Sequence, residues 1–257
     1  MKNYFYMTIA LLILVSCKKE QLQMSAVKDP CDCAKEVSAD FDILEQNKPV
    51  QNSVLTITDN VLHAKNVYFR AKEKNAEYTW YIGAEIETEK ETSKFFGIEW
   101  IGHDIPITLV VKKDPNKICF PNDDGYDSIT KVFHVFDRCM SPHLLEGTFR
   151  VAPLNSIDSF DVQIEFQYGP SPNECYAMDF TNFDKQGSVC TAENLLTNGR
   201  SYRYAQSSGS TSYNSGCKNL TVGKIYLRLD NVVELLYSYR EIDNGPLVIR
   251  DLRGRKL

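Results

Sequence analysis

The chain reads as all-β in two domains, a β-sandwich followed by a second antiparallel β-domain. Three observations predict this. Short runs rich in β-branched and aromatic residues recur along it, such as Glu77-Tyr78-Thr79-Trp80-Tyr81-Ile82 and Lys131-Val132-Phe133-His134-Val135-Phe136. Turn signals, among them Asp114-Pro115-Asn116 and Pro121-Asn122-Asp123-Asp124-Gly125, separate those runs. No long stretch of the first half carries the 3.6-residue period of an amphipathic helix.

Residues 17–37 are read as a tether, polar through 18–30 and closing on Pro30, with mixed helix and turn character over 31–41. A sandwich is expected over 38–138. Within it, 53–58 alternates, with Val54, Thr56 and Thr58 on one side and Leu55 and Ile57 on the other. Residues 67–70, 77–82, 105–112 and 129–136 follow as strands. Ser141-Pro142 marks the boundary of a second β-domain over 139–257, a small barrel, a jelly-roll or a second sandwich. There, 145–151 opens a strand, and 159–167 sends Phe160, Val162, Ile164 and Phe166 to one face. Residues 224–229, 232–240 and 247–250 read as a closing meander, with hairpin turns at Asp230-Asn231 and Asn244-Gly245. The intervening 169–216 reads as a long loop, and the basic residues of 250–256 read as a solvated end.

The first residues have the layout of a signal peptide. Lys2 precedes an apolar run from Phe5 to Val15, which is too short for a bilayer span of about 20 residues. It ends in Leu14-Val15-Ser16-Cys17, which resembles the lipobox of bacterial lipoproteins. The resemblance implies cleavage of residues 1–16 and a thioether between Cys17 and diacylglycerol. Two or more acyl chains would then hold the chain on a membrane, because each buried methylene contributes about 0.8 kcal/mol. Lys18 stands where an Asp would mark inner-membrane retention, so the resemblance points to the outer membrane, on its periplasmic or its outer side.

The formal charge is −5 and no basic stripe stands out, so nucleic acid is a poor partner. Beyond Cys17, seven cysteines remain: Cys31, Cys33, Cys119, Cys139, Cys175, Cys190 and Cys217. An exported chain can hold disulfides, up to three among these, and sequence does not fix the pairing. Cys175 with Cys190 is the most local choice. Cys31 or Cys33 with Cys119 or Cys139 would staple the start of the first domain to its end. Cys31-Asp32-Cys33 leaves one residue between its cysteines, where structural zinc takes about two to four. His63, His103, His134 and His143 are scattered, so no metal or cofactor is expected. Asp123-Asp124-Gly125-Tyr126-Asp127 could offer oxygens to calcium, but it lacks the EF-hand spacing and reads better as an acidic turn.

Tyr78-Thr79-Trp80-Tyr81-Ile82-Gly83, Ile105-Pro106-Ile107-Thr108-Leu109-Val110-Val111 and the run from Asp123 into Val132–Phe136 resemble a PKD-type, immunoglobulin-like domain. That resemblance implies a core role for Trp80 and an extracellular scaffold. The family's acidic turn after the tryptophan is replaced here by Tyr81-Ile82-Gly83-Ala84-Glu85. Leu145-Glu146-Gly147-Thr148-Phe149 and the terminal meander faintly resemble lipocalin-like lipoprotein barrels.

No catalytic constellation is legible: there is no Gly-x-Ser-x-Gly elbow, no Cys–His pairing and no phosphate-cradling turn. An enzyme is not expected. Exposed aromatic faces can serve as platforms for glycans, and Trp100, Tyr202, Tyr204 and Tyr213 are the candidates. The expectation is a lipid-anchored binding or assembly module for an envelope protein or an extracellular polymer. The alternative is a small-ligand carrier with a cavity in the second domain.

Overall fold

Two sets of buried side chains organise the molecule, one drawn from residues 39–135 and the other from 145–252. The computed structural model describes residues 31, 34–46, 55–139, 143–168, 175–183, 185, 187, 189–193, 201–206, 222–240 and 245–257. Among these residues, nine strands lie in the first half: β1 (Phe41–Gln46), β2 (Leu55–Ile57), β3 (Val61–Leu62), β4 (Lys65–Ala71), β5 (Glu77–Ile82), β6 (Glu85–Glu87), β7 (Glu91–Phe96), β8 (Asp104–Lys112) and β9 (Tyr126–Phe136). Eight make the second: β10 (Gly147–Pro153), β11 (Phe160–Tyr168), β12 (Cys175–Thr181), β13 (Val189–Glu193), β14 (Tyr204–Gln206), β15 (Val222–Leu227), β16 (Val232–Arg240) and β17 (Leu247–Lys256). The fold is all-β.

The first half is a sandwich of a four-stranded sheet, β2-β1-β4-β7, and a five-stranded sheet, β3-β9-β8-β5-β6. Alternation drives it. On β8, Ile105, Ile107, Leu109 and Val111 turn inward, and on β4 Val67, Phe69 and Ala71 do so. Trp80 lies at the centre, fully buried and edge-on to Phe41 at 5.1 Å. Its indole N–H donates to the Glu89 carbonyl at 2.8 Å, so burying the ring orphans no polar group. On β2 the polar side is the buried one: Thr56 and Thr58 point inward and Ile57 is exposed. The chain leaves β2 for the opposite sheet, where β3 pairs in parallel with the end of β9.

The second half is one antiparallel sheet in the order β13-β12-β11-β10-β17-β16-β15-β14. Two meanders run outward from a central pair, β10 and β17. Three strands, β12, β13 and β14, fall inside the stretch expected to be a loop. Their apolar positions are interrupted by polar ones and by two cysteines, which hides the alternation. The basic residues expected to be a solvated end instead form the second half of β17, between β10 and β16. Their charges sit outward while Leu252 fills the core. The Asp230-Asn231 turn joins β15 to β16 as expected, with Asn231 at φ 61. Asn244 lies outside the described residues.

Gly254 shows how tightly the central pair approaches. A Cβ there would stand 1.9 Å from the Arg150 carbonyl oxygen and 2.7 Å from the Val151 Cα, both on the neighbouring backbone. Gly254→Ala is therefore expected to cost about 3 kcal/mol, since overpacking against backbone has no cheap relief. A chemical-denaturation midpoint for the second domain that matches the wild type would refute this contact.

Candidate functional site

Trp100 closes a single 3-10 turn, Ile98–Trp100. It is half-buried, edge-on to Phe96 at 5.8 Å, with the Lys94 ammonium 5.6 Å from its ring centre. It packs against the first core rather than standing free. Tyr204 is 8% exposed, opposite Tyr226 in the β14–β15 ladder. Tyr202 is half-buried between the domains. The expected exposed platform is therefore corrected at Tyr202 and Tyr204: folding uses both rings internally. Tyr213 and Cys17 lie outside the described residues.

Tyr202 belongs to a joint between the two halves that no sequence motif marks. Glu45, at the far end of β1, is fully buried. One of its carboxylate oxygens accepts the Leu62 N–H at 2.9 Å, and the other accepts the Tyr202 N–H at 2.7 Å. Beside it, Arg203 makes a two-point contact with Asp59, Nε at 2.7 Å and Nη2 at 2.6 Å. Its third nitrogen donates to the Arg228 carbonyl at 3.0 Å. Such a fork fixes direction as well as distance. The Tyr202 ring stacks on Phe136 at 4.9 Å and 19°. Burial pushes the Tyr202 phenol pKa upward, and the nearby Asp59 charge pushes it the same way. His63, also buried at this end, accepts the Arg138 N–H through Nδ1 at 3.2 Å. Burial holds the His63 imidazole below its ordinary value, against the opposing pull of Asp137.

The opposite end of the sandwich receives the segment that leads into β1. Cys31 is bonded to Cys119 across 88 residues, with the Cα atoms 5.4 Å apart. The acidic turn reinforces the clasp. Asp123 accepts the Val37 N–H at 2.9 Å, and Asp127 accepts the Ala39 N–H at 2.7 Å. Asp124 accepts the Tyr126 N–H at 3.0 Å. These carboxylates hold main chain, which is why three aspartates crowd one turn. The Val37 and Gly125 amides keep the Asp123 carboxyl below its ordinary range. Cys139 is also disulfide-bonded. Cys175 and Cys190 fall on the neighbouring strands β12 and β13, with Cys190 opposite Phe180 in register. Cys33 and Cys217 lie outside the described residues.

Next to the clasp, Lys131 reaches from β9 to Asp40 at 2.6 Å and to the Phe41 carbonyl. Lys72 meets the same carboxylate at 2.8 Å. Burial works to raise the Asp40 pKa, but the hydrogen bonds and charges of Lys131 and Lys72 prevail and bring it from 3.8 to about 2. A depressed carboxylate stabilises the fold above its unfolded pKa. The thermal stability advantage of wild type over Asp40→Asn is therefore expected to hold above pH 3.8 and to vanish as pH falls through about 2. An advantage that persists unchanged below that range would refute the pairing.

The outward face of the five-stranded sheet carries Tyr81, Ile86 and Val132, 44%, 62% and 57% exposed. Tyr81 pairs with Ile86 on one side and Thr108 on the other, and Thr108 shares a hydrogen bond with Thr130 at 2.7 Å. Among the described residues, no three His, Cys, Asp or Glu side chains gather as metal ligands, and no helix is long and apolar enough to cross a membrane. The described geometry offers exposed apolar side chains on one sheet face and a polar joint between the halves. Comparison with protein-family models and with curated proteins found no match.

Proposed function

We propose that the chain is an exported, lipid-anchored, non-catalytic binding or assembly module of the cell envelope. One observation carries this reading: the segment before β1 and the second domain attach to opposite ends of one sandwich. Strand β9 begins at Tyr126, beside the clasp, and ends at Phe136, on the Tyr202 ring. Strand β1 likewise runs from Phe41, beside Lys131, to Glu45 and Gln46 at the joint. A membrane anchor on Cys17 would thus hold the second domain at the distal end of a stem. A joint with a buried carboxylate and a forked ion pair resists bending, which suits presentation of a surface to a partner.

The filled interior of the second domain favours this over a small-ligand carrier. Phe149, Phe166, Phe180, Tyr237 and Tyr239 pack in one cluster there, each at most 5% exposed. Cross-linking on intact cells tests the proposal. An envelope component recovered in fixed proportion with the wild-type chain is the expected result, together with lipid labelling that Cys17→Ser abolishes. Recovery of nothing above background would overturn the assembly reading.

A further inference from the structure

Strand β9 has neighbours on both sides only at its end. On one side β8 pairs with it from Tyr126↔Lys112 to His134↔Asp104. On the other, β3 meets Val135 and Phe136 alone. In an antiparallel ladder, alternate residues direct both main-chain groups toward the partner or away from it. The His134 N–H donates to the Asn60 side chain at 2.9 Å and the Ser128 N–H to Asp127 at 2.8 Å. The Val135 N–H donates to the His103 carbonyl on the β8 side at 3.0 Å. Even-numbered residues of β9 therefore face away from β8. Pro106, which lacks an N–H, stands opposite Val132, where no donor toward β9 is required. Thr130 and Val132 each aim an N–H and a C=O at the free side, and among the described residues no strand pairs with them.

That side opens on a cleft of about 400 Å³ between the sandwich and the β15–β16 turn. Ile57, Val132 and Leu229 supply its apolar walls, and Leu229 is 52% exposed. Its charges are already matched: Lys131 with Asp40, Lys72 with Asp40 and Asp42, Asp59 with Arg203. A charged ligand would find no unmatched partner there. A row of main-chain donors and acceptors at strand spacing, between apolar walls, fits an extended peptide backbone.

We propose that the free edge of β9 at Thr130 and Val132 accepts an extended, uncharged segment of an envelope partner. The segment adds to the sheet as a strand and is held against the Leu229 turn. This names the partner's chemistry for the binding function above, and rests on that reading. Main-chain bonds to Thr130 and Val132 supply affinity, and the apolar walls select alternating apolar side chains.

Residue-resolved hydrogen exchange on the full chain in detergent micelles tests the premise. The amides of Thr130 and Val132 are expected to exchange at least about tenfold faster than those of Ile129 and Phe133. Equal protection of all four overturns the proposal, because the edge is then already covered. A phage-displayed library of random short peptides is next selected on the full chain. The expected peptides alternate apolar residues, protect the Thr130 and Val132 amides, and lose about tenfold or more in affinity for both Val132→Pro and Leu229→Asp. Val132→Pro removes an edge donor at a position where proline is tolerated. Leu229→Asp changes the opposite wall without touching the strand, so it decides the matter if the proline variant misfolds. Selection of no peptide, peptides that bind both variants like wild type, or self-association through this edge would each overturn the site. An envelope component that cross-links to Leu229→Asp as well as to wild type leaves the assembly reading standing and overturns only the groove.

Discussion

Replacing Cys31 and Cys119 by serine is expected to destabilise the sandwich by about 4.5 kcal/mol, the loop-closure entropy of a cross-link spanning this much chain. The bond joins residues 88 apart and spans nearly the whole sandwich. Without it, the segment before β1 is still held by the Val37–Asp123 and Ala39–Asp127 hydrogen bonds. Denaturation followed by tryptophan fluorescence isolates the effect. The chain has two tryptophans, and both, Trp80 and Trp100, lie in the sandwich. A fluorescence midpoint displaced by less than about 1 kcal/mol would mean that the clasp constrains the unfolded chain little.

Glu45→Ala is expected to cost about 4 kcal/mol and to uncouple the domains. The substitution strips acceptors from the Leu62 and Tyr202 amides, and each buried amide left bare costs about 1–3 kcal/mol. Glu45→Gln is expected to fall between the two, because its amide keeps one acceptor and presents a donor to the other N–H. In the wild type, tryptophan fluorescence and hydrogen exchange in β16 should report one shared transition. In Glu45→Ala they should separate, and small-angle scattering should show a broader distribution of overall dimensions. A single shared transition in the variant would show that the Arg203–Asp59 fork and the Phe136–Tyr202 stack suffice to couple the halves.

Strands with clean alternation and clear turns were legible in sequence to within a few residues. Glu77–Ile82 and Val232–Arg240 match their expected bounds because each has a buried and a solvated face. Strand β7, Glu-Thr-Ser-Lys-Phe-Phe, escaped because it is an edge strand with mostly polar, exposed side chains. Over 55–58 the alternation was legible, but which side is buried was not: Thr56 and Thr58 turn inward and Ile57 is exposed. The joint was not legible at all. Glu45 meets a residue 157 positions away, and Arg203 meets one 144 away, so no local spacing announces either. Tyr202 was singled out for its aromatic ring, but its placement followed from these distant polar contacts. Linking Cys31 to Cys119 was among the pairings that sequence allowed, as one of four that would staple the start of the first domain to its end.

The position of β17 has a consequence for how the second domain comes into being. This strand, residues 247–256, follows every other strand in the chain, yet it is the seam where two independent meanders are sewn together. Until it arrives, β10 and β16 each present a bare edge, and their apolar faces lack a common lining. The ladder from Phe149↔Lys256 to Pro153↔Leu252 closes a loop of about a hundred residues, a late and slow event on topological grounds. A chain threaded through a membrane from its N-terminus would stay loose over this whole half until those residues had crossed.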